Sequence, residues 1–216
     1  MRKITEIYTE YKIPPNLQRH MLWVAAIATI ICDNFEEPLP KEDIVTACLL
    51  HDMGNIVKYE LGYFPEFMEP QGLAYWQNVQ NEFREKYSAD EHKITFLIAK
   101  ELGLSDRIVE LASGNGFQLL CMCRDSEDIP MKMMHYCDNR VGPYGILSYD
   151  ERMEEAKNRY KNRKDNNLTE EERQKFVACG RDIEKQIFAK CKIKPEDIND
   201  ETVKPIIEKL KDFVIK

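Results

Sequence analysis

Asp52 closes a run that is almost wholly apolar from 44 to 50, so it stands at the C-terminal end of a helix that must be buried. The helix macrodipole already presents partial negative charge there. A carboxylate is therefore disfavoured twice, by burial and by the dipole, and no Lys or Arg in the adjacent turn is placed to neutralise it. Asp138 repeats the problem among Met131, Met133, Met134, Tyr136 and Cys137. Two acids in apolar company imply a shared cation. His51 adjoins Asp52, and His20 falls on the inward stripe that continues through Val24, Ile27 and Ile31. Taken singly, each residue has a plainer reading as a packed core histidine, a helix cap or an ion-pair partner. Together, two imidazoles and two carboxylates make a borderline-to-hard site suited to Mn, Fe, Co, Ni, Mg or Zn.

These residues must be positioned by helices. Apolar spacing predicts helices over 17–31, 41–50, 91–102, 106–111 and 131–140, followed by charged amphipathic helices over 150–164, 169–190 and 201–213, broken at Asn166-Asn167 and Lys194-Pro195. Gly54 and Gly103 read as helix terminators, and Ser88 or Asp90 as a cap. Residues 59–87 form a long, partly irregular excursion rich in aromatics. No strand pattern competes, so the expected class is all-α, a helical bundle with additional C-terminal amphipathic helices. The chain of 216 residues is expected to be a single domain, 1–216.

Composition narrows the partners. Lys plus Arg number 31 against 38 for Asp plus Glu, and this net charge of −7 argues against a nucleic-acid polymer or an anionic membrane as partner while leaving room for a local cationic pocket. The longest apolar run, 21–32, is too short to span a bilayer. Seven cysteines, mostly inside apolar stretches, read as free thiols in a reducing compartment, so the expected location is cytoplasmic.

His20, the pair His51-Asp52 within Leu49-Leu50-His51-Asp52-Met53-Gly54, and Asp138 within Tyr136-Cys137-Asp138-Asn139-Arg140 resemble the HD-domain superfamily of metal-dependent phosphohydrolases over about 16–147. The order His, His-Asp, Asp is that family's order. The resemblance implies a five-helix core, one divalent metal held by His20, His51, Asp52 and Asp138, and hydrolysis of phosphate esters, often of nucleotides. A C-terminal helical extension over about 149–216 would pack on that core. Members with two metals carry further histidines. His92 fits the first of these positions, but the region Ser113-Gly114-Asn115-Gly116, where the second should fall, has none. A mononuclear centre is expected, with His92 on its open side as a phosphate or water contact.

A bound divalent ion lowers the pKa of its water and polarises a phosphoryl oxygen. Asp52 is then expected both to hold the ion and to orient the attacking water, which makes Asp52, Lys58 and His92 the candidate catalytic residues. Lys58, Arg19 and Arg140 are the candidate donors to substrate phosphate, each with an alternative as a solvated charge or structural ion pair. Some relatives carry an acid where this chain has Asn55, and Glu60 stands at the wrong spacing to replace it. The 59–87 excursion either closes over the site as a lid that stacks on a base or merely covers the core. His135 is a partner behind Asp138 or a packed core histidine. The charged C-terminal helices offer a solvated face or a homodimer surface and carry no chemical motif. The reading is a phosphohydrolase acting on a small phosphorylated substrate, a nucleotide above others. Its alternatives are a non-catalytic metal or nucleotide sensor, and a di-iron oxygenase that would need a second metal.

Overall fold

Pro14 and Pro15 begin the long helix that carries His20, because proline at the first helical position forfeits an N–H that has no partner there anyway. The computed structural model describes residues 1–161 and 168–216. Before that helix come two extended residues, β1 (Arg2–Lys3), and a short helix, α1 (Ile4–Glu10), which buries Ile4, Ile7 and Tyr8. The proline-initiated helix is α2 (Pro15–Asn34). It packs along α3 (Lys41–Leu50), in which every residue from 44 to 50 is buried. A helix apolar on all sides is stable only when surrounded by others. There follow α4 (Leu73–Lys86), α5 (Glu91–Glu101), α6 (Asp106–Ser113), α7 (Leu120–Asp125) and α8 (Ile129–Asp138). Helix α6 packs on α3 and α5, and α8 packs on α2 and α3. Asp90, Ser105 and Asp128 cap α5, α6 and α8 by accepting backbone N–H groups.

The C-terminal part supplies α9 (Tyr149–Tyr160), α10 (Glu170–Phe188), α11 (Asp200–Leu210) and the strand β2 (Val214–Ile215). Ser148 with Glu151, and Thr169 with Glu172, form reciprocal capping boxes that start α9 and α10. The expected 162–164 end of the first of these helices, and the expected break at Asn166-Asn167, lie outside the described residues. Helix α10 packs on α7 and α8, and α11 packs on α2. One apolar cluster accordingly runs from Ile4 to Ile215.

The class is all-α, with three local departures from expectation. The chain's two ends pair as a minimal antiparallel sheet, Arg2 opposite Ile215 and Lys3 opposite Val214, too short to leave an alternating pattern. The aromatic excursion is half helix: in α4, Trp76, Val79 and Phe83 make one buried stripe. The seven cysteines are not all free thiols. Helices α7 and α10 bring the Cα atoms of Cys121 and Cys179 to 5.0 Å, within disulfide reach, and the two are bonded. This removes the support that cysteine usage lent to a cytoplasmic location. Among the described residues no helix is long and apolar enough to cross a membrane.

Gly54 serves a purpose other than the helix stop expected of it. Its φ is −90°, open to any residue, and α3 has already ended. What glycine provides is space: a Cβ there would lie 2.2 Å from the Glu91 carbonyl oxygen and 2.8 Å from the Ile94 Cβ. The N-terminus of α5 thus rests directly on the turn that follows α3. Thr95 ties the contact, its hydroxyl accepting from Gly54 N–H at 3.1 Å and donating to the His51 carbonyl at 3.3 Å. Gly54→Ala should therefore cost about 1–3 kcal/mol in urea unfolding. Gly62→Ala, where a Cβ meets nothing within 4 Å, should stay within about 0.5 kcal/mol of wild type. Equal unfolding midpoints for the two variants would contradict the contact.

Candidate metal centre

Three helices deliver the four ligand-type side chains to one place. His20 comes from the second turn of α2, His51 caps the C-terminus of α3 with Asp52 next to it, and Asp138 is the last residue of α8. His20 Nε2 lies 3.3 Å from His51 Nε2, 3.0 Å from Asp138 Oδ1 and 3.4 Å from Asp52 Oδ2. His51 Nε2 lies 3.5 Å from Asp138 Oδ1 and 3.7 Å from Asp52 Oδ1. Donor atoms of His20, His51 and Asp52 all fall within 4.8 Å of one another. Asp138 joins this group through Oδ1, which approaches both imidazoles, and nitrogen and oxygen donors of these types are the usual ligands of a divalent metal. The donor set and its spacing fit such an ion.

Neighbouring groups fix the orientation of each ligand. His51 Nδ1 lies 2.8 Å from the Cys48 carbonyl. A carbonyl only accepts, so Nδ1 carries the hydrogen and Nε2 is left as the donor atom facing the cage. Asn115 Nδ2 donates to Asp138 Oδ2 at 2.8 Å, which leaves Oδ1 for the two imidazoles. Sequence reasoning gave Asn115 no role, although it stands in the very region searched for a second-metal histidine. Burial works to raise the Asp138 carboxyl, but hydrogen bonds from His20 and His51 hold it well below the usual carboxylate range. Burial likewise pushes the His51 imidazole down, while Asp52 and Asp138 outweigh it and bring it up to about 9. The metal-free cage meets its excess negative charge by retaining a proton.

The four residues line a cavity of about 970 Å³. Lys58 and His92 border it as well. Lys58 Nζ bonds Glu91 Oε1 at 3.0 Å, and the nearby Asp52 and Glu91 raise its pKa despite burial. His92 is half exposed, with Nε2 3.6 Å from Glu91 Oε1, and it stands outside the cage. Asn55 and Glu60 also line the cavity.

The two remaining candidate phosphate donors do not reach it. Arg140 is a correction: it is 2% exposed, and its guanidinium donates to the carbonyls of Leu147, Pro195 and Ile198 and to the Tyr136 hydroxyl. Its closeness to Asp138 is only sequential, for it points to the C-terminal segments. Arg19 sits between Trp23 and Phe67, 5.2 and 5.1 Å from their ring centres, and donates to the Pro143 carbonyl. It braces an aromatic wall instead of facing the cage. His135 is buried, its Nδ1 3.0 Å from the Met131 carbonyl, and burial lowers its pKa.

Metal must displace the His51 proton, so affinity should rise about tenfold per pH unit between about pH 6 and 8 and level off above about 9. Titration of manganese into metal-free protein at several pH values measures this, and a flat profile would contradict the cage. Asn115→Ala should weaken manganese binding about 10- to 100-fold by releasing Asp138. Unchanged affinity would deny Asn115 its positioning role.

The family comparison agrees with this geometry. Residues 17–120 match the family model described as HD domain, a segment that contains His20, His51, Asp52, Lys58 and His92 and ends before Asp138. No curated protein and no solved structure matches the chain. Residues 17–120 are similar to the HD domain, the domain of the HD-domain superfamily of metal-dependent phosphohydrolases.

Proposed function

We propose that this chain is a mononuclear metal-dependent phosphohydrolase that cleaves the phosphate ester of a small metabolite, with a nucleotide as the best-supported substrate. The observation that carries the reading is the convergence of His20, His51, Asp52 and Asp138 on the wall of one cavity that also presents the Lys58 ammonium. In the proposal these four side chains hold one divalent ion, its identity open among Mn, Fe, Co, Ni, Mg and Zn. When bound, such an ion lowers the pKa of a water and neutralises phosphoryl charge.

The chain's own groups do the rest. Asp52 orients the attacking water. Lys58 neutralises charge developing on the phosphoryl and leaving oxygens. Its raised pKa makes it a lasting cation and a poor proton donor, so its part is electrostatic. Glu91 holds Lys58 in place, and His92 contacts the phosphate or a water. Asn115 occupies the region of a second-metal histidine and is engaged with Asp138, which supports a single ion.

The preference for a nucleotide rests on an aromatic wall. Tyr63, Phe64 and Phe67 line the cavity, with ring centres 4.7 and 5.0 Å apart along the series, and Tyr144 packs against Phe64 and Phe67. Such a surface suits stacking of a planar base. Tyr63, Phe64 and Phe67 belong to the 59–87 excursion, so the lid expectation enters the proposal as a fixed wall, with no closing motion assigned.

Phosphate release from a panel of nucleotides and sugar phosphates tests the reading. Activity should vanish on chelation and return with a divalent ion. His51→Ala and Asp52→Ala should fall to background with circular dichroism unchanged, and Lys58→Ala should lose about 100-fold in kcat. Full activity in the His51 and Asp52 variants would overturn the assignment. Tight nucleotide binding without release, in protein loaded with metal, would favour the sensor alternative, which draws on the amide of Asn55 in the cavity wall.

A further inference from the structure

The cavity has a wall that the cage chemistry does not use. The C-terminal end of helix α9 borders it, through Arg152, Met153 and each residue from Ala156 to Tyr160, and Glu170 and Arg173 of α10 complete that side. The five cations of this wall are Arg152, Lys157, Arg159, Lys161 and Arg173. Against them stand Glu170 and Glu155, the latter paired with Arg152 at 2.9 Å and Arg159 at 2.7 Å. Lys157 pairs with Glu170 at 2.8 Å. In a chain of net charge −7, this local excess of positive charge faces the cavity.

One guanidinium there is incompletely used. Arg173 Nη2 donates to the Met153 carbonyl, while its Nε is buried with no hydrogen-bond partner among the described residues. A buried N–H left unmade costs about 1–3 kcal/mol, so such groups usually await a ligand or water.

We propose that the wall formed by α9 and α10 is an anion subsite, distinct from the metal cage, that takes a second phosphoryl group of the substrate. The substrate class is then a small organic phosphate with two separated phosphoryl groups. A phosphoryl dianion matches an excess of several cations better than a single carboxylate does, and the planar guanidinium fork suits its oxygens. Tyr59 lines the same cavity as the cage and this wall. The subsite can exist without catalysis, but its role in choosing substrate rests on the hydrolase reading above.

Calorimetric titration of inorganic phosphate into chelator-treated, full-length protein tests the subsite apart from the metal. Wild type should bind. The double variant Arg159→Gln, Arg173→Gln should bind at least about tenfold more weakly, with manganese affinity unchanged. Absence of phosphate binding in metal-free wild type, or equal binding by the two proteins, would overturn the proposal. Should the double variant fail to fold, Lys157→Gln, at a side chain 40% exposed, carries the test with a severalfold loss expected and no loss contradicting it. With manganese present, a nucleoside bisphosphate should show a KM at least about tenfold below that of the matching monophosphate, and equal values would count against the subsite. Phosphate binding that depends on Arg159 and Arg173, without hydrolysis of any ester, would keep the subsite and overturn the hydrolase.

Discussion

Two carboxylates and two imidazoles held at separations of 3.0–3.7 Å, each side chain less than a third exposed, need a positive charge among them. That electrostatic demand organises the molecule. Both carboxylates stand at or just beyond the C-terminal ends of buried helices, where the dipole adds to the demand and water does little to relieve it. Helix α3 must be packed on every side to place His51 and Asp52 there. Its end is secured from three directions: the Tyr8 hydroxyl donates to the Leu49 carbonyl, the Cys48 carbonyl holds the His51 ring, and Thr95 of α5 bonds the turn that contains Asp52. Without a metal the cage keeps a proton on His51; a divalent ion replaces that proton with a charge better matched to the two acids.

Much of this arrangement is legible in the sequence, for physical reasons that differ by element. Helices α2, α3, α5, α6 and α8 announce themselves because each combines an apolar face with a recognisable start, a proline or a capping side chain. The ligands are legible because a charged residue inside an apolar run contradicts its surroundings. Short elements are not: α1 has seven residues, and the terminal strands have two each. Helix α4 is obscured by polar residues around its stripe of Trp76, Val79 and Phe83. The Cys121–Cys179 bond joins residues 58 positions apart, and only the docking of α10 on α7 brings them together.

The case of arginine shows where sequence proximity misleads. Arg140 stands two residues past a cage ligand, yet the chain has turned away by then and its guanidinium ties the end of α8 to the segment before α11. Arg159 and Arg173 are distant in sequence from every ligand and sit on helices that read as solvated amphipaths, yet they face the cavity. The C-terminal helices are therefore part of the site's enclosure. The family match supplies most of the cage and stops short of Asp138 and the cationic wall, which the rest of the chain contributes.

The central claim is that one divalent ion sits among His20, His51, Asp52 and Asp138. X-ray absorption at the manganese K-edge, on full-length protein reconstituted with manganese and analysed for metal content, tests it most directly. The account predicts one ion per chain with two imidazole nitrogens and otherwise oxygen ligands. Two ions per chain, sulfur in the coordination sphere, or failure to bind one equivalent would contradict it.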